Sequence, residues 1–328
     1  MSIESRLVSL EVCAGAGGFA LGLEQAGFDP VLLLDSRPVA CDTLRWNRPT
    51  WDVRCMDLHR FDPSDLSRAQ QVDLLAAGLP RVKSAAASNR TRGSAVELGL
   101  LRHTISLLRT IRPRGLLIEN VPDLVSNAVY APVREQVGDV LGDLGYRHRW
   151  FVLNAADHGV PQDRKQGILV ALEDDLIDAF EVPPRGNGFP GTVGDALRKS
   201  MSARGWQQVD EWADQANQIA PTLVGGSWDR GGADLGPTGT KRIWATMGVD
   251  AGTVADQVPD PGFCWDPSLG RPGMVRLTVE QAAVLQGFPV DWHFAGGKTA
   301  RYRQVAHASP PPVGRALGRA VRAALDAR

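Results

Sequence analysis

The sequence carries almost no net charge: 36 Lys and Arg against 37 Asp and Glu leave −1. That excludes a general nucleic-acid coat, which needs a strongly basic surface. Cysteine is scarce. Of Cys13, Cys41, Cys55 and Cys264, none falls in a CxxC pair, and no histidine cluster accompanies them. A structural zinc site and a disulfide framework are therefore not expected, no metal is expected, and the cysteines read as buried small hydrophobes. No apolar run approaches the roughly 18–20 residues of a membrane span. The start, Met-Ser-Ile-Glu-Ser-Arg, lacks signal-peptide shape. A cytoplasmic protein with no membrane partner is the expectation. Internal repeats and low-complexity tails are also missing. What remains is ordinary globular composition, 43% hydrophobic and 22% charged over 328 residues, enough for one large domain or one and a half.

The charges are unevenly placed. Between Arg81 and Arg114 the basic residues Arg81, Lys83, Arg90, Arg92, Arg102, Arg109, Arg112 and Arg114 meet one acid, Glu97. Lys298, Arg301, Arg303, Arg315, Arg319 and Arg322 form a second basic zone. Such zones line a phosphate-binding cleft or are simply solvated surface.

Up to about residue 180, short apolar runs alternate with helical periodicity. Strands are expected at 7–13, 31–34, 72–77, 116–118, 150–153 and 168–171, and helices at 19–26, 38–46, 98–111 and 134–144. Alternation of this kind predicts a mainly parallel sheet covered on both faces. From Pro183 onward the pattern dissolves into a loop-rich stretch with many glycines and with Trp206, Trp212, Trp228, Trp244 and Trp265, which reads as a separate small domain. Regular structure resumes at Arg276. Thr278-Val-Glu280-Gln281 opens a helix to Leu285, and a last helix spans 313–324.

Five constellations carry chemistry. Glu11-Val-Cys13-Ala14-Gly15-Ala-Gly17-Gly18-Phe19 is a glycine-rich turn between strand and helix, with the acid Asp35 ending the next strand. It suits a nucleotide or nucleoside cofactor, or is only a tight βα turn. Leu117-Ile-Glu119-Asn120-Val121 places a carboxyl where open sheets bind ligands, or caps a helix. The other three are 153–164, which contains Gln162-Asp163-Arg164, Leu285-Gln286-Gly287-Phe288-Pro289, and Tyr302 through Pro312.

In this order the five resemble the DNA (cytosine-5)-methyltransferase family along nearly the whole chain, the glycine-rich middle excepted. The resemblance implies an α/β fold: a Rossmann-like AdoMet-dependent methyltransferase domain at 1–178, a small irregular target-recognition domain at 179–274, and a segment at 275–328 returning to the large domain. It implies S-adenosyl-L-methionine or S-adenosylhomocysteine as cofactor and double-stranded DNA as partner. Carried over by position, Cys13, Ala14, Gly15, Gly17 and Gly18 form the methionine-side loop. Asp35 takes the ribose position, Asp57 and Leu58 the adenine side, and Ala308 a late cofactor position. Glu119 matches the carboxyl that protonates a flipped cytosine at N3. Gln162 and Arg164 match the Gln-x-Arg whose arginine holds the base. Thr222, Leu223, Gly225 and Gly226 look like the recognition core, with Arg230 beside it, and Arg81 and Lys83 would also meet DNA.

The departures cluster around the chemistry. Where the family has Pro-Cys, this chain has Pro80-Arg81; Gln166 replaces a second arginine, and Ala306-His307 a Gly-Asn. The family's thiolate adds to cytosine C6, whereas a guanidinium stays protonated and has no lone pair to offer. Arg81 could instead hold a phosphate or fill the gap left by an extruded base, or sit in a drifted loop. The expectation is a sequence-specific DNA reader, or a partner subunit for an active methyltransferase or restriction component, silent in C5 transfer. The rivals are another chemistry on a flipped base and C5 transfer completed by a partner. RNA is a further possible substrate, against which the glycine-rich recognition region argues.

Overall fold

The computed structural model describes residues 6–66, 71–82, 95–186, 191–226 and 232–327. In chain order the elements are β1 (Leu7–Val12), α1 (Gly18–Gln25), β2 (Phe28–Asp35), α2 (Pro38–Asn47), β3 (Val53–Cys55), β4 (Leu74–Gly78), α3 (Ala95–Ile111) and β5 (Gly115–Asn120). There follow α4 (Pro122–Ser126), α5 (Ala131–Asp143), β6 (Tyr146–Asn154), β7 (Gln162–Asp163) and β8 (Lys165–Glu173). The rest are α6 (Val193–Met201), α7 (Val209–Gln215), β9 (Ala220–Pro221), α8 (Thr238–Thr246), α9 (Val279–Leu285), α10 (Lys298–His307) and α11 (Pro311–Leu325).

The chain divides into two compact units. The first holds Met1–Leu153, Lys165–Pro184 and Val313–Arg328; the second holds Asn154–Arg164 and Arg185–Pro312. These limits differ from the sequence-based boundaries at 178 and 274: the return to the first unit begins at 313, and residues 154–164 leave it early.

The first unit is built on a seven-stranded sheet in the order β3-β2-β1-β4-β5-β8-β6. The pairs β1–β2, β2–β3, β1–β4 and β4–β5 are parallel, and β5–β8 is antiparallel. Strand residues alternate between faces. On one face Leu10, Val12, Leu34, Leu75, Ala77 and Ile118 form a core with Leu101, Ile105 and Leu108 of α3 and Leu141 of α5. α11 lies against α1 at very short range. A Cβ on Gly314 would come 2.9 Å from the Phe19 ring, and one on Gly318 would come 2.7 Å from Ala26 Cβ. Only glycine lets the two backbones approach this closely, and Val313, Leu317 and Val321 are fully buried beside them.

Strand order reverses about β1. Its chain continues to β2 and β3 on one side, while β4 and β5 add on the other. The carboxyl ends of β1 and β4 thus flank the switch point where sheets of this kind bind ligands. The approach is close: a Cβ on Gly78, at the end of β4, would stand 3.4 Å from Cys13 O.

The second unit is less irregular than its glycines suggest. Three helices, α6, α7 and α8, lie within the stretch read as loops. Thr192 caps α6 in a reciprocal box with Asp195, and Trp212 and Trp244 are fully buried. Apart from Gly194 in α6 and Gly239 in α8, the described glycines of this stretch sit outside these helices, which is why composition alone hid them. The predicted box at Thr278 and Gln281 does open α9. The cysteine expectation needs correction. Cys41 is buried, but Cys55 and Cys264 are exposed, Cys55 because it ends an edge strand and Cys264 because it sits in a loop. Among the described residues no helix is long and apolar enough to cross a membrane.

Candidate functional site

The glycine-rich turn after β1 needs left-handed backbone. Cys13 has φ 54°, Gly15 55° and Gly17 81°, the last as N-cap of α1. Nothing lies within 4 Å of where a Cβ on Gly15 would be, so the loop is open on that side. Asp35, ending β2, fixes the turn from its neighbour strand. One carboxylate oxygen accepts from Gly15 N (2.8 Å) and the other from Arg37 N (2.8 Å). Burial still holds its pKa above the ordinary value, the two backbone donors partly offsetting the shift. Asp57 is exposed and caps the turn at Leu58 through His59 N (2.8 Å), while Leu58 itself is buried.

The acid that opens the glycine-rich motif carries no role in the sequence reading. Glu11 sits in mid-strand between Leu10 and Val12, so it points to the opposite face of the sheet from them. It is 1% exposed, and neither carboxyl oxygen has a hydrogen-bond partner. Burial first, then the Asp35 charge, push its pKa well above the ordinary 4.5. The available signal was a lone acid inside an otherwise apolar run. Such a group binds its proton more tightly folded than unfolded. It therefore costs stability as pH rises above 4.5, where the unfolded chain ionises it freely. Glu11→Gln is expected to gain on the wild type by up to about 1.4 kcal/mol per pH unit above that point. Urea melts between pH 5 and pH 8 measure this; parallel curves for the two proteins would refute it. The nearest thiol, Cys13, is pushed up to about 12 by burial and then by Asp35, Glu11 and Asp57, so it stays protonated at neutral pH.

The second feature of this unit is the turn after β4. Pro80-Arg81-Val82 is held by Asn120 at the end of β5. Asn120 Oδ1 accepts from Val82 N (3.1 Å) and Val121 N (2.9 Å), and its Nδ2 donates to Pro80 O (3.3 Å). Asn120, part of the Leu117–Val121 motif, thus serves as the clamp of this turn. Glu119, paired in register with Gly78, has a side chain only 4% exposed. Arg81 Nη2 stands 3.6 Å from Glu119 Oε1, an oxygen with no hydrogen-bond donor of its own. The arginine is about a third exposed. Gln166, one of the departures, is fully buried in the same unit. Lys83 and Arg230 lie outside the described residues.

In the second unit Gln162, Arg164, Leu223 and Ala308 come together. Gln162 is fully buried. Its Nε2 donates to Leu285 O (3.0 Å) and Gln286 Oε1 (2.7 Å), and its Oε1 accepts from Leu223 N (3.0 Å). Arg164 is also fully buried. Its Nη1 donates to Leu223 O (3.2 Å), and its Nη2 to Ala306 O (3.0 Å) and Ala308 O (3.1 Å). These two side chains tie three separated segments into one network. Leu223 contributes backbone to it, and its side chain lies in the core. Thr222 Oγ1 donates to Asp163 O (2.6 Å). His307 is engaged too: its Nε2 donates to Gly226 O (3.0 Å), and a Cβ on Gly225 would come 2.4 Å from its ring. The Gly225-Gly226 pair thus leaves the space that His307 fills. Among the described residues no group of three or more His, Cys, Asp or Glu is placed to hold a metal ion.

Against known proteins, the family model described as C-5 cytosine-specific DNA methylase matches residues 7–323. The chain is 44% identical over 320 residues to the Type II methyltransferase M.NaeI of Lentzea aerocolonigenes, covering 97% of this chain and 75% of that protein. It is 38% identical to the Type II methyltransferase M.NgoMIV of Neisseria gonorrhoeae, covering 98% of each. Among solved structures it is similar to a putative DNA modification methyltransferase encoded within an Escherichia coli prophage (TM-score 0.65, 17% identity, 98% and 99% covered). It is likewise similar to Spodoptera frugiperda DNMT2 (TM-score 0.65, 15% identity, 96% and 99% covered).

Proposed function

Because the chain belongs to the C-5 cytosine-specific DNA methylase family, we propose that it is a DNA-reading member of that family that does not itself transfer a methyl group to cytosine C5. The single observation carrying this reading is the Arg81–Glu119 pair. Cytosine C5 is a poor nucleophile until a group adds at C6. Arg81, on the turn where the resemblance puts the attacking thiol, has no lone pair to add. It also lays its charge against the carboxyl that would meet the base at N3. None of the four cysteines is on that turn: Cys13 lies in the glycine-rich loop, Cys41 in α2, Cys55 ends β3 and Cys264 is in a loop of the second unit, and burial holds Cys13 and Cys41 up at about 12.

The cofactor-side residues fit AdoMet. The open face at Gly15, the left-handed turn leading into α1 and the carboxylate of Asp35 make a cradle for a nucleoside carrying an amino-acid tail. Cys13, Ala14, Gly15, Gly17 and Gly18 would hold the methionine end, Asp35 the ribose, and Asp57 and Leu58 the adenine. AdoMet, when bound, supplies an electrophilic methyl. Here Glu119 and Asn120 position the Arg81 turn, while Gln162 and Arg164 act as positioning residues that hold the Thr222–Gly226 segment and Ala308 in place. In this reading the protein works in the cytoplasm on duplex DNA, alone or beside an active methyltransferase or restriction component.

A gel-shift series at low salt, with calorimetric titration of AdoMet, tests the binding half. Duplex binding with micromolar or tighter affinity for both ligands is expected. A protein that shifts no duplex even at ~20 mM salt would end the proposal.

A further inference from the structure

A groove of about 260 Å³ opens in the second unit, and none of the candidate site residues carried over from the resemblance lines it. Its apolar floor includes Phe263, Met274 and Val275, and the charged groups in its lining are Arg271 and Arg276. Both arginines are anchored from below by one carboxylate, Asp250, which is 2% exposed. Arg271 Nε donates to Asp250 Oδ1 (2.8 Å) with Nη2 at 3.4 Å from Oδ2, and Arg276 Nε donates to Oδ2 (2.8 Å). Asp250 is itself fixed, accepting from Gly252 N (3.0 Å). Gly252 makes room for the arrangement, since a Cβ there would strike Arg271 Nη2 at 2.1 Å.

Two cations on one buried anion leave a net charge of +1. The charge faces outward because the anion is underneath. With Nε turned to Asp250, Arg276 keeps the N–H groups of both Nη atoms for a ligand, and Arg271 keeps Nη1. The acids nearest in sequence are engaged elsewhere: Glu280 with Arg301, and Asp266, whose Oδ1 accepts from Ser268 N (3.0 Å) and Oγ (2.6 Å); farther along the chain Asp256 pairs with Lys298 (3.1 Å) and Asp260 with Arg204 (3.7 Å). A guanidinium edge held rigid by its own carboxylate matches a phosphodiester fork to fork. The apolar floor beside it matches the face of a deoxyribose.

We infer that Arg271 and Arg276, set by Asp250, form a clamp for a backbone phosphate of duplex DNA, contributing affinity and register rather than sequence choice. This rests on the DNA-reading proposal above, and the two can fail separately. The test is fluorescence anisotropy with labelled duplexes of two unrelated sequences across a KCl series. Two variants are compared with wild type: Arg276→Gln, and the triple Asp250→Asn, Arg271→Gln, Arg276→Gln. The triple variant leaves no buried charge orphaned. Each lost phosphate contact is expected to lower the slope of log affinity against log salt by about 0.9, and to weaken binding roughly tenfold near 0.1 M salt, equally on both sequences. Slopes identical to wild type in folded variants overturn the clamp, as does a loss confined to one sequence. Wild-type protein that binds no duplex overturns the DNA-reading proposal itself, and the clamp with it.

Discussion

Arg81→Cys is expected to leave methyl transfer undetectable, although it returns the one atom whose loss defines the site. Deleting a covalent nucleophile costs on the order of 10⁶ in kcat in a serine protease, so the baseline to recover from is low. Two features oppose recovery. Gln166 occupies a buried position where the resemblance calls for arginine. His307, in place of an asparagine, is bonded to Gly226 in the recognition segment. Radiolabelled methyl transfer, and trapping on duplexes containing 5-fluorocytosine, would read the outcome. Turnover comparable to that of an active relative would show a site intact but for its sulfur.

Arg164→Ala is expected to produce the largest loss of stability. The side chain is fully buried, and its two Nη atoms satisfy the carbonyls of Leu223, Ala306 and Ala308. Each carbonyl left without a donor costs roughly 1–3 kcal/mol, so a loss of about 3–5 kcal/mol is expected once partial relaxation is allowed. Arg164→Lys, which supplies a charge but not the planar fork, should fall between. Six of the nine tryptophans lie in the 185–312 segment, so tryptophan fluorescence in urea reports mainly on the second unit. A midpoint within error of wild type would refute the structural assignment of Arg164.

These two residues show what was legible in the sequence and what was not. The parallel sheet was legible because its buried strands read as mainly apolar runs punctuated by glycine, as at Leu7–Val12 before Gly15. β3 was missed because three residues carry no period. The helices of the second unit were missed because the prolines and glycines of their connections drowned a weak signal, whereas Thr278 announced α9 through its cap. At the site, spacing identified Glu119 and the Pro80-Arg81 turn, but it could not show that Asn120 holds the turn or that Glu11 lies orphaned nearby. Those facts depend on which strands are neighbours. Arg164 was legible as a position and not as an environment: a motif marks where an arginine stands, and only packing shows that its Nη donors are spent on three carbonyls.

The most direct measurement is mass spectrometry of nucleosides from duplex DNA incubated with AdoMet and wild-type protein prepared from a host devoid of cytosine methyltransferases. With arginine after Pro80 and its guanidinium against Glu119, the expected digest contains no 5-methyldeoxycytidine above that of a protein-free control. Catalytic accumulation of 5-methyldeoxycytidine at one defined site by the protein alone would contradict it.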